Sequence, residues 1–353
     1  MPEIRIDPLS GHRTIVAGER SRRPGGAPGL SESERSPPAI DPERDPFAEG
    51  HEDRTPPELY AVRPGGGVPD SPGWSVRVVP NLFPALEPAA SADGGGAAQG
   101  SETSTAPAQA PTGARARGDV RGELFVSLPA SGAHEVIVNG PQPVLSLAEL
   151  PLEQVVAAMD AWRERMRAHE QSAYVQLIVN ERREAGASLP HTHSQLYALD
   201  FVPSAVARER ERASEYATRT MGQSLLGDLV AEEVRMRERI VAIDDDAVLM
   251  APFASRLPFQ LMLAPRRPVP RFEQDGPTGA ALLHDGLRRL ARHLGASPPL
   301  NMWVRTAPRG AEHFCWRIDV LPRLTHLAGL ELSTDLNLNI VAPEHAAALL
   351  REA

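Results

Sequence analysis

Asn180-Glu181-Arg182-Arg183-Glu184-Ala185-Gly186-Ala187-Ser188-Leu189-Pro190-His191-Thr192-His193-Ser194-Gln195 joins two apolar, β-rich segments through a run of small and charged residues. In an extended strand alternate side chains share a face, so His191, His193 and Gln195 are expected to project together. Gly186-Ala187-Ser188 supplies small residues, a backbone free to approach a ligand, and a hydroxyl, and Asn180 adds an amide donor. The set suits a phosphate cradled beside a histidine. An imidazole near its ordinary pKa of about 6.5 is neutral and nucleophilic at physiological pH. Two packing histidines on a strand would be the plainer account of an isolated His-x-His. The small-residue run, Gln195 and Asn180 weigh toward chemistry.

Outward from this stretch, Tyr174-Val175-Gln176-Leu177-Ile178-Val179 precedes it on the N-terminal side. Further upstream lie Trp74-Ser75-Val76-Arg77-Val78-Val79, Glu123-Leu124-Phe125-Val126-Ser127-Leu128 and His134-Glu135-Val136-Ile137-Val138. All are rich in β-branched or aromatic residues and read as strands. Leu147, Leu150, Val155, Met159, Trp162 and Met166 fall at helical spacing over residues 147–170. Residues 205–240 are charge-dense and read as one or two long helices. The plan then repeats, with strands near 247–250 and 259–264, a helix over 278–294, strands near 302–306 and 314–321, and a closing helix opened by Pro343. The repetition predicts an α+β protein of two tandem lobes, residues 1–222 and 223–353, each an antiparallel sheet with helices.

Two segments break the pattern. Residues 24–46 are rich in Pro, Gly, Ser and charge and read as a surface loop. Residues 87–121 have almost no bulky apolar side chains to offset the entropy of ordering. They are expected to be a disordered insertion inside the first lobe. Pro and Gly make up about 18% of the chain against an average near 12%, an excess these segments absorb.

The 353 residues carry 37 Lys+Arg against 46 Asp+Glu, a formal net charge of −9, which argues against a nucleic-acid partner. A small anionic ligand needs only a local cluster and stays open. The single cysteine, Cys315, excludes an intramolecular disulfide and a Cys-based zinc site. No apolar run approaches the length of a membrane span. Met1-Pro2-Glu3-Ile4-Arg5 lacks the pattern of a signal peptide, so a cytoplasmic protein with no membrane partner is expected.

At the histidine stretch the sequence resembles the galactose-1-phosphate uridylyltransferase family of the histidine-triad superfamily, which includes sugar-nucleotide phosphorylases. Arg5-Ile6-Asp7-Pro8-Leu9-Ser10-Gly11, followed by Arg20 and Arg23-Pro24, resembles the family's opening. Asp45-Pro46-Phe47-Ala48-Glu49-Gly50 and Thr55-Pro56-Pro57-Glu58 are similar to its Cys-Pro-Phe-Cys region. The segment from Val76 to Leu86 resembles its nucleoside-binding stretch, and Pro252-Phe253, Pro270-Arg271-Phe272 and Leu321-Pro322-Arg323-Leu324 extend the likeness into the second half.

This resemblance implies a ping-pong transfer of a nucleoside monophosphate. His193 attacks the α-phosphorus of a nucleoside-diphosphate sugar, and a sugar 1-phosphate then takes the nucleotide from the covalent nucleotidyl-histidine. Gln195 matches the glutamine that hydrogen-bonds the transferred phosphoryl. Asn180, Gly186 and Ser188 match phosphate-side positions, Asn81 and Phe83 nucleoside-lining ones, and Arg20 and Arg23 arginines near the phosphates. The simplest reading is a UDP-glucose:hexose-1-phosphate uridylyltransferase. Ser194, where uridylyltransferases commonly carry glycine, resembles the adenylyl-transferring phosphorylases instead. A non-catalytic nucleotide-binding relative, or a hydrolase that releases the nucleotide to water, would also be compatible with this fold. Family practice also implies a homodimer.

The departures concern metals. The family's zinc ligands match Asp45, Ala48, Pro143 and His191, of which only His191 is retained, so no zinc is expected. A second metal site matches Glu209, the region of Arg305, and Cys315-Trp316-Arg317-Ile318-Asp319. Glu209 sits in a run of Arg and Glu that reads as a solvated helical face. His134 is expected to pack or hydrogen-bond, and His51 and His313 to be exposed.

Overall fold

In the computed structural model, which describes residues 2–22, 28–88 and 127–353, the β-branched runs become strands and the 3.6-periodic runs become helices. Along the chain come β1 (Glu3–Ile6), β2 (Arg13–Val16), the single turn α1 (Glu32–Arg35), β3 (Tyr60–Val62), β4 (Val76–Pro80) and β5 (Gly132–Val138). Then follow α2 (Leu152–Ala168), β6 (Tyr174–Glu181), β7 (His193–Leu199), α3 (Ser204–Arg219) and α4 (Leu225–Met236). The second half brings β8 (Ile240–Ile243), β9 (Ala247–Met250), β10 (Leu261–Pro265), α5 (Ala280–Leu294), β11 (Leu300–Arg305) and β12 (Arg317–Pro322). The chain closes with α6 (Gly329–Thr334), β13 (Asn337–Asn339) and α7 (Pro343–Glu352).

Ten strands form one antiparallel sheet in the order β3-β4-β5-β7-β6-β11-β12-β10-β9-β8. The order is a duplication. The series β3, β4, β5, helix, β6, β7 is repeated by β8, β9, β10, helix, β11, β12, and the two sets meet where β6 pairs with β11. Loops of eleven residues, 182–192 and 306–316, join β6 to β7 and β11 to β12. In this plan the start of β12, Arg317, is the counterpart of His193.

One face of the sheet is covered by α2, α5 and α7. All six positions of the helical pattern, Leu147, Leu150, Val155, Met159, Trp162 and Met166, are buried there beside Leu283, Leu287 and Leu290. On the other face, α4 and the N-terminal Leu9 cover Val248, Met250 and Met262, while Phe47 and Trp74 cover Val79, Val136 and Val138. Between these two covers a strip of β7, β6 and β11 remains half-buried, including Gln195, Tyr197, Ile178, Asn180, Asn301 and Trp303.

A small sheet, β1-β2-β13, adds strands that the sequence pattern did not mark. Its parallel β2–β13 pair joins residues over three hundred positions apart, a partner no local periodicity announces. The strand expected over 123–128 falls mainly outside the described residues, as does the insertion 87–121 apart from Glu87 and Pro88. Ser127 and Leu128 are not in a strand. Gly132 opens β5 at φ +145°, and a Cβ there would come within 2.1 Å of the Ala198 carbonyl oxygen on β7, so only glycine permits this approach.

Candidate active site

His193 is the first residue of β7 and is 6% exposed. Its Nδ1 lies 2.8 Å from the His191 carbonyl oxygen, which can only accept, so Nδ1 carries the proton and Nε2 keeps its lone pair. Burial pushes the His193 pKa down, which keeps the ring neutral. The Phe47 ring meets it edge-on, with centroids 5.2 Å apart. A buried, neutral imidazole with an oriented lone pair is suited to nucleophilic attack.

His191 behaves differently from the alternation expected of it. It precedes the regular strand and turns inward, fully buried, with Nδ1 2.6 Å from Asp45 Oδ2 and Nε2 2.8 Å from the Gly140 carbonyl oxygen. The Gly140 carbonyl can only accept, so Nε2 carries a proton, and with the Asp45 carboxyl on Nδ1 the ring is locked in place. Asp45 is itself 4% exposed and caps its own turn by accepting the Phe47 N–H at 3.0 Å. The residue noted in the sequence as a lost metal ligand is thus the partner of His191, and it ties the histidine loop to the segment that carries Phe47.

Gln195 follows His193 on the same face, half-buried. Its Oε1 lies 3.0 Å from His134 Nε2 and 3.0 Å from the Tyr197 hydroxyl. His134 stacks on Tyr197 with centroids 4.1 Å apart, and its Nδ1 accepts the Ala85 N–H at 3.1 Å. Burial lowers the His134 pKa despite the bond to Gln195, which raises it. Asn81 Nδ2 approaches His134 Nε2 at 3.1 Å, while Asn81 Oδ1 accepts the Phe83 N–H at 2.9 Å. Phe83 itself is 83% exposed. Thus Asn81 and Gln195 converge on His134, a residue read in sequence only as packing or hydrogen-bonding. Tyr197 was missed there, although it continues the alternation of 193 and 195.

Asn180 stands on β6 one step beyond the paired Val179–Ser194, which places it beside His193. Its Oδ1 accepts from Asn301 Nδ2 at 2.8 Å, across the junction of the two halves. Gly186 is left-handed at φ +94° after the 3₁₀ turn Arg183–Ala185, with open space beside it, and Ser188 is exposed on the same loop. The loop's root is Glu181, wholly buried, accepting from Ser146 Oγ at 2.6 Å and Leu147 N–H at 2.7 Å. Burial raises its pKa to about 7 against those two bonds. Arg20 is exposed on the 3₁₀ turn Gly18–Arg22 and has no hydrogen bond or ion pair to the His193 strand among the described residues. Arg23 lies outside the described residues.

The residues present do not fit the family's metals. At the zinc position His191 has both nitrogens engaged, and Ala48 and Pro143 offer no donor. At the second position Glu209 is 6% exposed, so the solvated face expected for it is wrong. Arg317 Nη1 lies 3.0 Å from Glu209 Oε2, Arg317 Nε 3.0 Å from Asp319 Oδ2, and Arg305 Nε 3.5 Å from Glu209 Oε1. Burial opposes the Arg317 charge, yet Asp319 and Glu209 raise its pKa; burial raises Glu209, yet Arg317 and Arg305 pull it down. Guanidinium groups occupy the place of ligands. No group of three or more His, Cys, Asp or Glu able to hold a metal occurs among the described residues, and none of their helices is long and apolar enough to cross a membrane.

A duplicated strand–helix–strand plan, with a buried histidine opening one central strand, is the arrangement that the histidine-triad resemblance implies. Residues 76–203 match the family model for the galactose-1-phosphate uridyl transferase N-terminal domain, and residues 149–352 match a Domain of unknown function (DUF4921). The ADP-glucose phosphorylase of Arabidopsis thaliana is 26% identical over 99% of this chain and 93% of its own. The galactose-1-phosphate uridylyltransferase of Rattus norvegicus is 27% identical over 87% of this chain and 73% of its own. The crystal structure of the Arabidopsis phosphorylase shares the fold at TM-score 0.75 and 24% identity, covering 100% of this chain and 99% of that one. A solved uridylyltransferase matches at TM-score 0.68 and 25% identity, covering 100% and 98%. Residues 76–203 thus belong to the galactose-1-phosphate uridyl transferase family, and the chain as a whole belongs to the family described as DUF4921, matched over residues 149–352.

Proposed function

We propose that this protein moves a nucleoside monophosphate from a nucleoside-diphosphate sugar to a sugar 1-phosphate through a covalent bond to His193. The observation that carries the proposal is the His193 Nδ1 donation to the His191 carbonyl, which leaves Nε2 as the nucleophile. Nε2 forms a bond to the α-phosphorus as the bond to the bridging oxygen breaks, and the sugar 1-phosphate departs with that electron pair. A phosphate oxygen of the acceptor then attacks the same phosphorus, the P–N bond breaks, and neutral His193 is restored. Gln195 donates to the transferred phosphoryl, Asn180, Gly186 and Ser188 line the phosphate side, and Asn81 and Phe83 meet the nucleoside. Arg20 and Arg23 are assigned to the phosphates on resemblance alone.

Uridylyl transfer from UDP-glucose to a hexose 1-phosphate is the leading form of this reaction, supported by the family model over residues 76–203. An adenylyl donor with inorganic phosphate as acceptor is the second form, supported by similarity to an ADP-glucose phosphorylase along nearly the whole chain. Ser194 bears little on the choice, since its hydroxyl is buried and donates to Asn139 Oδ1 at 2.8 Å. The reaction as proposed needs no metal, a reading supported by the His191–Asp45 lock and the arginine-filled second site. Lobes 1–222 and 223–353, a cytoplasmic location and an isologous homodimer complete the proposal; sedimentation tests the last.

Incubation with radiolabelled UDP-glucose or ADP-glucose alone should label His193 with an acid-labile, alkali-stable phosphoramidate. His193→Gly should abolish the label, and Gln195→Ala should slow transfer by about 10²–10³-fold. Labelling that survives in His193→Gly refutes the assignment. Zinc at one per chain, with unfolding on chelation, refutes metal independence.

A further inference from the structure

We propose that His134 and Tyr197 are positioning residues that hold the Gln195 amide with its nitrogen free, so that it meets the transferred phosphoryl as a donor. The proposal rests on the reading of Gln195 as phosphoryl donor and His193 as nucleophile.

A glutamine side chain presents either an acceptor or a donor, depending on a rotation that few environments decide. Here three hydrogen bonds decide it. The Ala85 backbone N–H, a donor only, points at His134 Nδ1 at 3.1 Å, so in the neutral ring the proton is on Nε2. That Nε2–H donates to the nearer end of Gln195 at 3.0 Å, which must therefore be the oxygen. The Tyr197 hydroxyl donates to the same oxygen at 3.0 Å. With both lone pairs of Oε1 taken, the amide nitrogen is the end left over, and no acceptor among the described residues takes its hydrogens. Stacking of His134 on Tyr197 at 4.1 Å holds the two donors in register.

The arrangement matters because the two ends of the amide have opposite effects on a phosphoryl group gathering negative charge. The oxygen would repel it; the nitrogen stabilises it without reorganisation at the moment of reaction. The same histidine also meets the stretch assigned to the nucleoside by accepting the Ala85 N–H; Asn81 Nδ2, 3.1 Å from Nε2, is a second donor beside the Nε2–H and makes no hydrogen bond with it in this tautomer. His134 therefore links the residues that meet the base to the residue that meets the phosphorus.

The test is single-turnover labelling of the full chain with whichever radiolabelled sugar nucleotide labels the unmodified protein. His134→Phe, Tyr197→Phe, Gln195→Ala, His134→Gln and the double variants His134→Phe/Gln195→Ala and Tyr197→Phe/Gln195→Ala are compared. His134→Phe should slow labelling by about ten- to a hundredfold, below the ~10²–10³ of removing the donor itself. The half-saturating substrate concentration should change little. His134→Gln, which restores an N–H near the same place, should recover most of the rate. In the Gln195→Ala background, His134→Phe should cost almost nothing further. Tyr197→Phe removes one hydroxyl only, and its loss should likewise vanish in that background.

Losses at His134 and Gln195 that multiply, or an unimpaired His134→Phe, would overturn the positioning role while leaving nucleotidyl transfer intact. A Gln195→Ala variant with normal rate, or an unmodified protein that no sugar nucleotide labels, would instead overturn the transfer reading and this proposal with it.

Discussion

Replacing Glu181 by Gln should abolish a pH dependence of stability that the buried carboxyl imposes. The folded protein holds this carboxyl at a pKa of about 7, against an ordinary 4.5, because burial penalises its charge more than Ser146 and Leu147 compensate. Between those two values the folded state binds a proton that the unfolded chain has released. Unfolding free energy therefore falls as pH rises through that window and levels off above it. At roughly 1.4 kcal/mol per pH unit, the loss between pH 4.5 and 7 is about 3 kcal/mol. Gln is the isostere of the neutral acid: its oxygen still accepts the Leu147 N–H, and its nitrogen reaches Ser146 Oγ. Urea unfolding at pH 5, 6, 7 and 8 should show the unmodified protein losing about that amount relative to Glu181→Gln. Parallel profiles for the two proteins would mean that Glu181 is ionised throughout, and the reasoning from burial would fail.

Three further outcomes are expected. Asp45→Ala leaves a nitrogen of the fully buried His191 without its partner and should destabilise by about 1–3 kcal/mol, read by denaturant midpoint; the loss should be much smaller in a His191→Ala background. Arg317→Met strands Glu209 and Asp319 in the interior and should cost about 3–5 kcal/mol. An unchanged melting temperature would show those acids to be neutral or solvated. Gly132→Ala forces a Cβ against the Ala198 carbonyl at positive φ and should lower stability by about 2 kcal/mol or more, unlike Gly65→Ala, whose surroundings are open and whose φ is not positive.

Elements with a strong internal period were legible. The six apolar positions between Leu147 and Met166 all point into one core, and the closing helix begins at Pro343 as its sequence indicates. What sequence reasoning missed depends on partners far along the chain. Glu209 lies in a charged run whose local pattern is that of a solvated face, but its cation, Arg317, is 108 positions away on β12. His191 looked like a member of an alternating strand, and the acceptor that turns it inward, Asp45, lies in a loop with no periodicity of its own. The role of His134 was equally hidden, since the Ala85 N–H that fixes its tautomer belongs to the backbone and leaves no trace in side-chain type. That His193 and Gln195 share one face of β7 was legible because their spacing and their strand agree.

The Asp45–His191 bond spans 146 positions, whereas β6 and β7 pair across a loop of only eleven residues. Closing a long loop costs more entropy than closing a short one, and contacts of large sequence separation tend to form late. During refolding, then, the β6–β7 hairpin that carries His193 assembles before the segment around Phe47 docks against it. Until docking, the His191 ring is unanchored, the backbone carbonyl that orients His193 is free to turn, and the sheet exists before the ring proposed as nucleophile is oriented. Recovery of labelling activity should lag recovery of β-structure, and a chain synthesised from its N-terminus must keep the Asp45 segment unsatisfied until the histidine loop emerges.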